Sequence, residues 1–208
     1  LLAAFYLKAD FKETFKIKLP KAIDIIGGLV LWAGGFILAN LVGNFLLYLF
    51  PQNEEIITRL NYLLKGDNVW ITLLVTALLP AICEELFFRG FIFSSLDGSV
   101  KPNRAIMLTG LLFALYHIDF IRIIPTFILG TAFTLAVFKT KSIIVPAVMH
   151  FINNAVAAVS LFYPESFEKF AQMIGFTGNS MVNAAIYLLI AVLLVMAGYK
   201  LLGLNRRM

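Results

Sequence analysis

The sequence predicts an all-α, polytopic membrane protein, a bundle of about six transmembrane helices with interfacial amphipathic segments. Of its 208 residues, 61% are hydrophobic and only 14% are charged, whereas a soluble domain usually carries about 25% charged residues. The apolar residues are gathered into long segments, and most segments reach the roughly 20 residues that a helix needs to cross a bilayer. We therefore expect an integral membrane protein.

Six apolar segments follow one another and form a single transmembrane domain over residues 22–208. No internal repeat or flexible linker divides this domain. The first segment is rich in glycine, which suits close packing between membrane helices. The third is short, so we expect it to be tilted or partly buried. The segments occupy residues 22–50, 69–96, 103–118, 121–138, 143–163 and 181–204.

Two further segments have the pattern of interfacial structure. Residues 1–21 form a basic juxtamembrane segment with five lysines, and its apolar residues recur at helix-like steps, as in a helix lying on a membrane surface. The stretch PESFEKFAQMIGF, which begins at Pro164, also reads as a surface amphipathic segment. The net charge of +5 reports topology and lipid contact in such a protein, so we expect the bilayer, and no nucleic acid, as a partner.

The distribution of basic residues predicts the orientation. If the amino terminus is cytoplasmic, the inner segments hold 12 lysines and arginines and the outer loops hold four. Cytoplasmic loops of membrane proteins carry the excess of these residues. The sequence therefore predicts that both termini are cytoplasmic.

The second apolar segment contains three charged residues within the stretch PAICEELFFRGF: Glu84, Glu85 and Arg89. A charged residue at the centre of a membrane helix costs roughly 2.5–3.5 kcal/mol, while a leucine returns only about 0.3–0.6 kcal/mol. These side chains should therefore face a protein interior or a wet cavity. Glu85 and Arg89 are four residues apart and can pair on one helix face. Glu84 points elsewhere and is left able to take a proton. The neighbouring Cys83 is interpreted as a packing residue.

The only two histidines of the sequence, His117 and His150, also lie in apolar segments. Phe113 precedes His117 by four residues, and Asn154 follows His150 by four, so each pair shares a helix face. On the six-span topology, Glu84, both histidines and Asn154 lie at depths of roughly 11–21 Å from the inner surface. We expect these four groups, from three helices, to meet in one layer. The adjacent Asn153 faces another direction and is interpreted as a packing residue.

These side chains suit the hydrolysis of a peptide bond. A carboxylate and an imidazole can activate water, and a second imidazole with an amide donor can stabilise the oxyanion of a tetrahedral intermediate. Zinc is an alternative use of the same groups, with Glu84, His117 and His150 as ligands, although the HExxH spacing of soluble metalloproteases is absent. No metal site is assigned from spacing alone.

Two non-proteolytic functions remain open at this point. The polar cluster could hold helices together in a membrane scaffold, a chaperone or a bacteriocin-immunity protein. Intramembrane acids and histidines also serve proton-coupled transporters. Pro80, Pro125 and Pro146 interrupt spans, but they show no correspondence between two halves of the chain, which transporter repeats would produce.

Three motifs together resemble the CPBP family, the CAAX-protease and bacteriocin-processing membrane proteins that are also called ABI proteins. The family pattern is EExxxR, then FxxxH, then HxxxN, each on a transmembrane helix. Here the motifs read EELFFR, FALYH and HFINN, in that order. The resemblance covers residues 69–163.

The resemblance implies a CPBP-type intramembrane endopeptidase that acts on a membrane-associated peptide or protein. It implies that Glu84 activates water with the help of His117, and that His150 and Asn154 form the oxyanion site. Glu85 and Arg89, with Phe113, would support the site. Metal dependence stays open within this resemblance. The compact length suits the bacterial or archaeal branch, so we expect a cell membrane of that kind, and nothing in the sequence identifies a prenyl-binding site.

Overall fold

The computed structural model describes residues 11–173 and 181–203, except the side chains of Phe11 and Thr14. This part of the chain is built from helices and contains no strand, only an isolated bridge between Asp97 and Val100. A short 3₁₀ turn, Pro51–Asn53, joins the second and third helices. The helices are α1 (Phe11–Thr14), α2 (Ala22–Leu49), α3 (Glu54–Lys65), α4 (Val69–Leu96), α5 (Pro102–Tyr116), α6 (Ile123–Thr140), α7 (Ile144–Phe162), α8 (Pro164–Met173) and α9 (Met181–Leu201).

Five helices among the described residues are long and apolar enough to cross a membrane: α2, α4, α6, α7 and α9. The prediction of an all-α, polytopic membrane protein is thereby confirmed, but the count of six spans is not. The predicted third span folds as α5, which has only 15 residues, against the roughly 20 that a span needs. It ends because Ile118 adopts a φ of 51°, a left-handed conformation that a β-branched residue rarely takes.

The second span, α4, is not a regular α-helix. Two wide π-helical stretches, Leu73–Leu78 and Leu86–Phe93, flank the regular turns Leu79–Glu85. Pro80 offers no N–H to the carbonyl four residues earlier and crowds it, which a wider turn accommodates. Such wide turns within helices often occur at functional sites, and here they bracket the two adjacent glutamates.

Close helix contacts hold the bundle together where small residues remove side-chain bulk. α9 crosses α2 at Gly198, where an added Cβ would lie 2.5 Å from the backbone nitrogen of Leu31. The buried core lies where α2, α6 and α7 meet, with Leu31, Phe133 and Met149 at its centre. The polar residues of α4 and α7 lie beside this core.

The residues that follow α1 form a turn at Phe15 and Lys16 and then a loop; we call residues 15–18 the clasp. Phe15 is buried against Gly90 of α4. The carbonyl of Lys16 accepts a hydrogen bond from the Ile143 amide at 3.0 Å, and the carbonyl of Lys18 accepts one from the Ser142 hydroxyl. The amphipathic helix predicted over residues 1–21 is thus limited, in its described part, to Phe11–Thr14. Residues 1–10 lie outside the described residues.

Two short surface helices complete the fold. The stretch predicted to be amphipathic from Pro164 forms α8, which buries none of its residues, while residues 174–176 of that stretch lie outside the described residues. α3 was not predicted, although its apolar residues recur at helical spacing and Arg59 pairs with Glu55 one turn away at 2.7 Å. The predicted loop before α4 therefore carries a surface helix.

Candidate active site

A buried ion pair lies at the centre of α4. Arg89 Nη1 donates to Glu85 Oε1 at 2.7 Å, and neither side chain has more than 1% of its surface exposed. The guanidinium also donates to the Gly130 carbonyl at 2.9 Å and to the Thr134 hydroxyl at 3.3 Å, both on α6. A buried charge needs this number of partners to offset its lost hydration. Arg89 therefore fixes α4 against α6.

Phe113 of α5 lies between the polar groups. Its ring covers the Arg89 guanidinium, with 4.4 Å between the guanidinium carbon and the ring centre, a favourable cation–π distance. The ring centres of His117 and His150 lie 4.9 and 5.6 Å from that of Phe113. The two imidazoles are thus brought to one aromatic ring from different helices.

His150 of α7 lies between the two adjacent carboxylates of α4. Its Nδ1 contacts Glu85 Oε1 at 2.8 Å, and its Nε2 lies 3.8 Å from Glu84 Oε2. Because an ionised carboxylate only accepts hydrogen bonds, Nδ1 carries a proton and Nε2 is the nitrogen directed to Glu84. Glu85 thus joins Arg89 to His150 and sets the orientation of this imidazole.

Glu84 is the less constrained acid of the pair. Its side chain is 21% exposed, while that of Glu85 is sealed. Glu84 Oε2 is buried and has no hydrogen-bond partner among the described residues. This oxygen faces His150 Nε2 at 3.8 Å without a hydrogen bond to it, so it keeps its full capacity as an acceptor.

His117 lies directly after the last residue of α5. Its Nδ1 donates to the carbonyl of Phe113 at 2.9 Å, because a carbonyl oxygen can only accept. Nε2 is therefore the nitrogen available for chemistry. The left-handed Ile118 that follows turns the chain away, so His117 lies at the end of a helix rather than within a span.

A chain of hydrogen bonds orients Asn154. Trp32 Nε1 donates to Asn153 Oδ1 at 3.3 Å, Asn153 Nδ2 donates to Asn154 Oδ1 at 3.2 Å, and Asn154 Nδ2 donates to the Thr76 carbonyl at 3.0 Å. Thr76 lies four residues before Pro80, whose missing N–H leaves that carbonyl without its α-helical donor. One proton of the Asn154 amide remains for another acceptor. Asn153, which was interpreted as a packing residue, joins α7 to α2 through Trp32 and also passes this chain of bonds on to Asn154.

The site opens into two adjoining cavities of about 370 and 300 Å³. His117, Arg122 and Asn154 line both, and His150 lines the larger one. Glu84 lines neither, so it reaches the site through its contact with His150. The predicted layer is thus formed by His117, His150 and Asn154 around the larger cavity, with Glu84 behind His150.

Several polar partners of the site were not predicted from sequence. They are Trp32, Thr76, Arg122, Gly130, Asn153 and Thr134. Two of them could have been noticed in the sequence, because Trp32 and the buried Thr134 each place a hydrogen-bond donor in an apolar helix. A backbone carbonyl such as that of Gly130 leaves no mark in a sequence. The interpretation of Cys83 as a packing residue is also wrong, because its side chain is exposed.

The described residues do not fit a three-ligand zinc site. Glu84 Oε2 and His150 Nε2 face each other, and Glu85 supports His150 as carboxylates support metal-bound histidines. A catalytic zinc needs a third protein ligand, and no group of three histidine, cysteine, aspartate or glutamate side chains in the described part of the chain is close enough to hold a metal. His117 does not complete the set of Glu84 and His150.

The chain was compared with known proteins. Residues 66–156 match the family model described as "Type II CAAX prenyl endopeptidase Rce1-like". The membrane-embedded CAAX protease MroQ of Staphylococcus aureus (strain USA300) is 26% identical over 184 residues, which cover 85% of this chain and 74% of that protein.

A second relative is YdiL of Bacillus subtilis (strain 168), provisionally named a membrane peptidase. It is 26% identical over 146 residues, which cover 68% of this chain and 60% of that protein. No solved structure matches the chain. The matched family region contains all three motifs and the helices that bring them together. These comparisons support peptidase activity within the membrane, and they support the resemblance to the CPBP family.

Proposed function

We propose that the protein is an intramembrane endopeptidase in which Glu84 is the general base that activates water. The observation that carries this proposal is the contact of His150 with both acids: Nδ1 is held by Glu85 at 2.8 Å and Nε2 faces Glu84 at 3.8 Å. In this proposal a water molecule reaches Glu84, whose side chain is 21% exposed, and hydrogen-bonds to one oxygen of its carboxylate. A proton of this water would pass to that carboxylate oxygen as the water oxygen attacks a peptide carbonyl carbon.

The oxyanion formed by this attack needs hydrogen-bond donors. Asn154 retains one amide proton for this role, since the other is used by the Thr76 carbonyl, and the proposal places His150, which lines the same cavity, beside the oxyanion with it. Such oriented donors are usually the largest contribution to catalysis in acyl transfer. The tetrahedral intermediate then collapses, the carbon–nitrogen bond breaks, and the leaving amine takes the proton held by Glu84.

His117 assists this step from the other side of Phe113. Its Nδ1 proton is committed to the Phe113 carbonyl, so Nε2 is free to accept a hydrogen bond from the attacking water. Glu85 and Arg89 do not react in this scheme. They hold His150 in place, because a positioned imidazole avoids reorganisation during the reaction.

The substrate we propose is a membrane-associated peptide or protein. Most of the larger cavity is apolar, and it is enclosed by helices long enough to lie in a bilayer. We further propose a bacterial or archaeal cell membrane with both termini cytoplasmic, an orientation that requires α5 to cross the bundle in addition to the five longer helices. Lys16, Lys141 and Asp97 meet at the end of the bundle that this orientation places inside.

The proposal is tested with purified protein in liposomes and a set of membrane peptides from a bacterial proteome, with products read by mass spectrometry. Glu84→Gln and His117→Ala should abolish cleavage and retain the thermal unfolding temperature. Glu165→Gln, an exposed position on α8, is the matched control and should cleave normally. Normal turnover by Glu84→Gln would reject the mechanism. Absence of any product from the unaltered protein would favour a scaffold.

A further inference from the structure

Arg122 lies at the junction of the two cavities. It lines both of them, together with His117 and Asn154. The wall of the smaller cavity also contains the polar residues Asn61, Thr76 and Ser160. A substrate that contacts His117 in these cavities therefore lies close to the positive charge of Arg122.

Asp119 holds the Arg122 guanidinium in place. Nε of Arg122 pairs with Asp119 Oδ2 at 3.2 Å, and the backbone amide of Arg122 donates a hydrogen bond to the Asp119 carbonyl at 3.0 Å. The two Nη nitrogens lie beyond the Nε contact, at the end of the side chain. The side chain is 34% exposed, so these donors can be reached from the cavities.

Arg122 has one acidic partner among the described residues, Asp119, and no acidic residue faces it within the cavities. No aspartate or glutamate belongs to the described residues that line either of them, and Asp119, which pairs with Nε, lies outside both walls. Arginine presents planar, paired donors that match the two oxygens of a carboxylate. A cavity of this composition attracts an anion of that shape.

We propose that Arg122 binds a carboxylate of the peptide substrate and thereby sets how far the cleaved bond lies from that group. This inference rests on the proposed peptidase function and specifies its substrate class: peptides with a negative charge close to the cleaved bond. The carboxylate is either the free carboxyl terminus or the side chain of an aspartate or glutamate. Both have the same chemistry at Arg122, and the experiment separates them.

The test measures binding rather than cleavage, in the Glu84→Gln protein in detergent micelles, by isothermal titration calorimetry. One pair of probes is an acetylated tetrapeptide of leucine and valine with a free carboxyl terminus, and the same peptide with a terminal amide. The second pair is amidated and carries glutamate or glutamine at the third position. A hydrogen bond to a charged group contributes about 1.5–3 kcal/mol, so the charged member of the recognised pair should bind about 10- to 150-fold more tightly.

Two substitutions in the same background locate the effect. Arg122→Gln should remove the preference for the charged probe, and Arg122→Lys should retain part of it because the charge remains without the paired donors. Arg59→Gln is the control, since Arg59 is exposed on α3 and lines neither cavity. Unfolding temperatures of all variants are measured alongside, and Arg122→Lys preserves the test if Arg122→Gln does not fold.

The outcomes are distinct. Preference for the free acid over the amide assigns the carboxyl terminus, and preference for glutamate over glutamine assigns a side chain. Equal binding within both pairs, or a preference that survives Arg122→Gln, would overturn the inference. Neither result depends on hydrolysis, so retained cleavage by Glu84→Gln would refute the proposed mechanism without deciding the role of Arg122.

Discussion

Glu85 Oε1 lies 2.8 Å from His150 Nδ1, and the same oxygen accepts from Arg89 at 2.7 Å. One atom therefore joins the ion pair of α4 to the imidazole of α7. The fold and the chemistry share this contact, so substitutions around it should affect stability and activity to different extents.

The buried pair should be far more important to stability than an exposed pair with the same geometry. Arg89–Glu85 and Arg59–Glu55 are both four residues apart and both 2.7 Å in length. Arg89→Met should lower the free energy of unfolding by about 3–5 kcal/mol, because it leaves the buried Glu85 without its guanidinium and with only the His150 contact. Arg59→Met should cost less than about 1 kcal/mol. Denaturant unfolding in micelles gives both values, and equal losses would contradict the structure.

The double variant Glu85→Gln, Arg89→Met should recover part of this loss, since no charge is then left alone in the interior. A loss equal to the sum of the two single changes would show that the two side chains do not interact.

Gly130 should not tolerate a methyl group. An added Cβ would lie 2.8 Å from Cδ1 of Phe113 and 3.2 Å from the Gly110 carbonyl. Gly130→Ala would displace the Phe113 ring, which contacts both imidazoles. It would also displace the carbonyl of residue 130, which accepts a hydrogen bond from Arg89. We expect a loss of about 1–3 kcal/mol in stability, as for other overpacked sites, together with reduced cleavage.

Gly35→Ala is the control for that substitution, because the nearest atoms to its added Cβ lie 3.7 Å away. Alanine favours a helix over glycine by about 1 kcal/mol, so this variant should be as stable as the unaltered protein or slightly more so. A similar loss at both glycines would argue against the close contact at Phe113.

Trp32 should act as a positioning residue for Asn154. Trp32→Phe removes only the N–H that orients Asn153, a neutral hydrogen bond that contributes about 0.5–1.5 kcal/mol. The expected result is a kcat about 2- to 13-fold lower with KM unchanged. Asn153→Leu should have a larger effect of the same kind. A change confined to KM would show that Trp32 acts on substrate binding instead.

Much of this fold could be predicted from composition and spacing alone. The apolar segments gave α2, α4, α6, α7 and α9 to within two or three residues, because lipid requires long uninterrupted runs. The shortness of α5 was predicted, to within one or two residues at each end. The left-handed Ile118 and the turn at Asp119, which separate α5 from α6, could not be derived from the apolar pattern. Helix α3 was missed because only one of its faces is apolar.

Part of the candidate active site could be predicted from the sequence for the same reason. Charged and imidazole groups are rare in apolar segments, so Glu84, Glu85, Arg89, His117 and His150 were conspicuous. Partners that act through the backbone, such as the carbonyls of Thr76 and Gly130, were not. The convergence on Phe113 depends on the packing of α4, α5 and α7, which spacing within single helices does not specify.

The clasp should make stability depend on pH through Lys16. Burial lowers the pKa of Lys16 below its ordinary value of 10.5; nearby Asp97 opposes this shift and Lys141 adds to it. Between the lowered value and 10.5 the unfolded chain binds more protons than the folded one, so stability should rise with pH in that window. Lys16→Met should lack this rise. The two unfolding midpoints, compared from pH 7 to 10, should diverge, and parallel curves would refute the assignment.

Phe15 fills the space beside Gly90, one residue along α4 from the arginine that binds Glu85. A residue outside the spans thus packs directly beside the buried ion pair of the candidate active site. A fusion partner, an engineered tag or a proteolytic cut that displaces Phe15 would weaken the packing around the Arg89 guanidinium. A preparation altered near residue 15 would then lose activity even though all three motifs are intact.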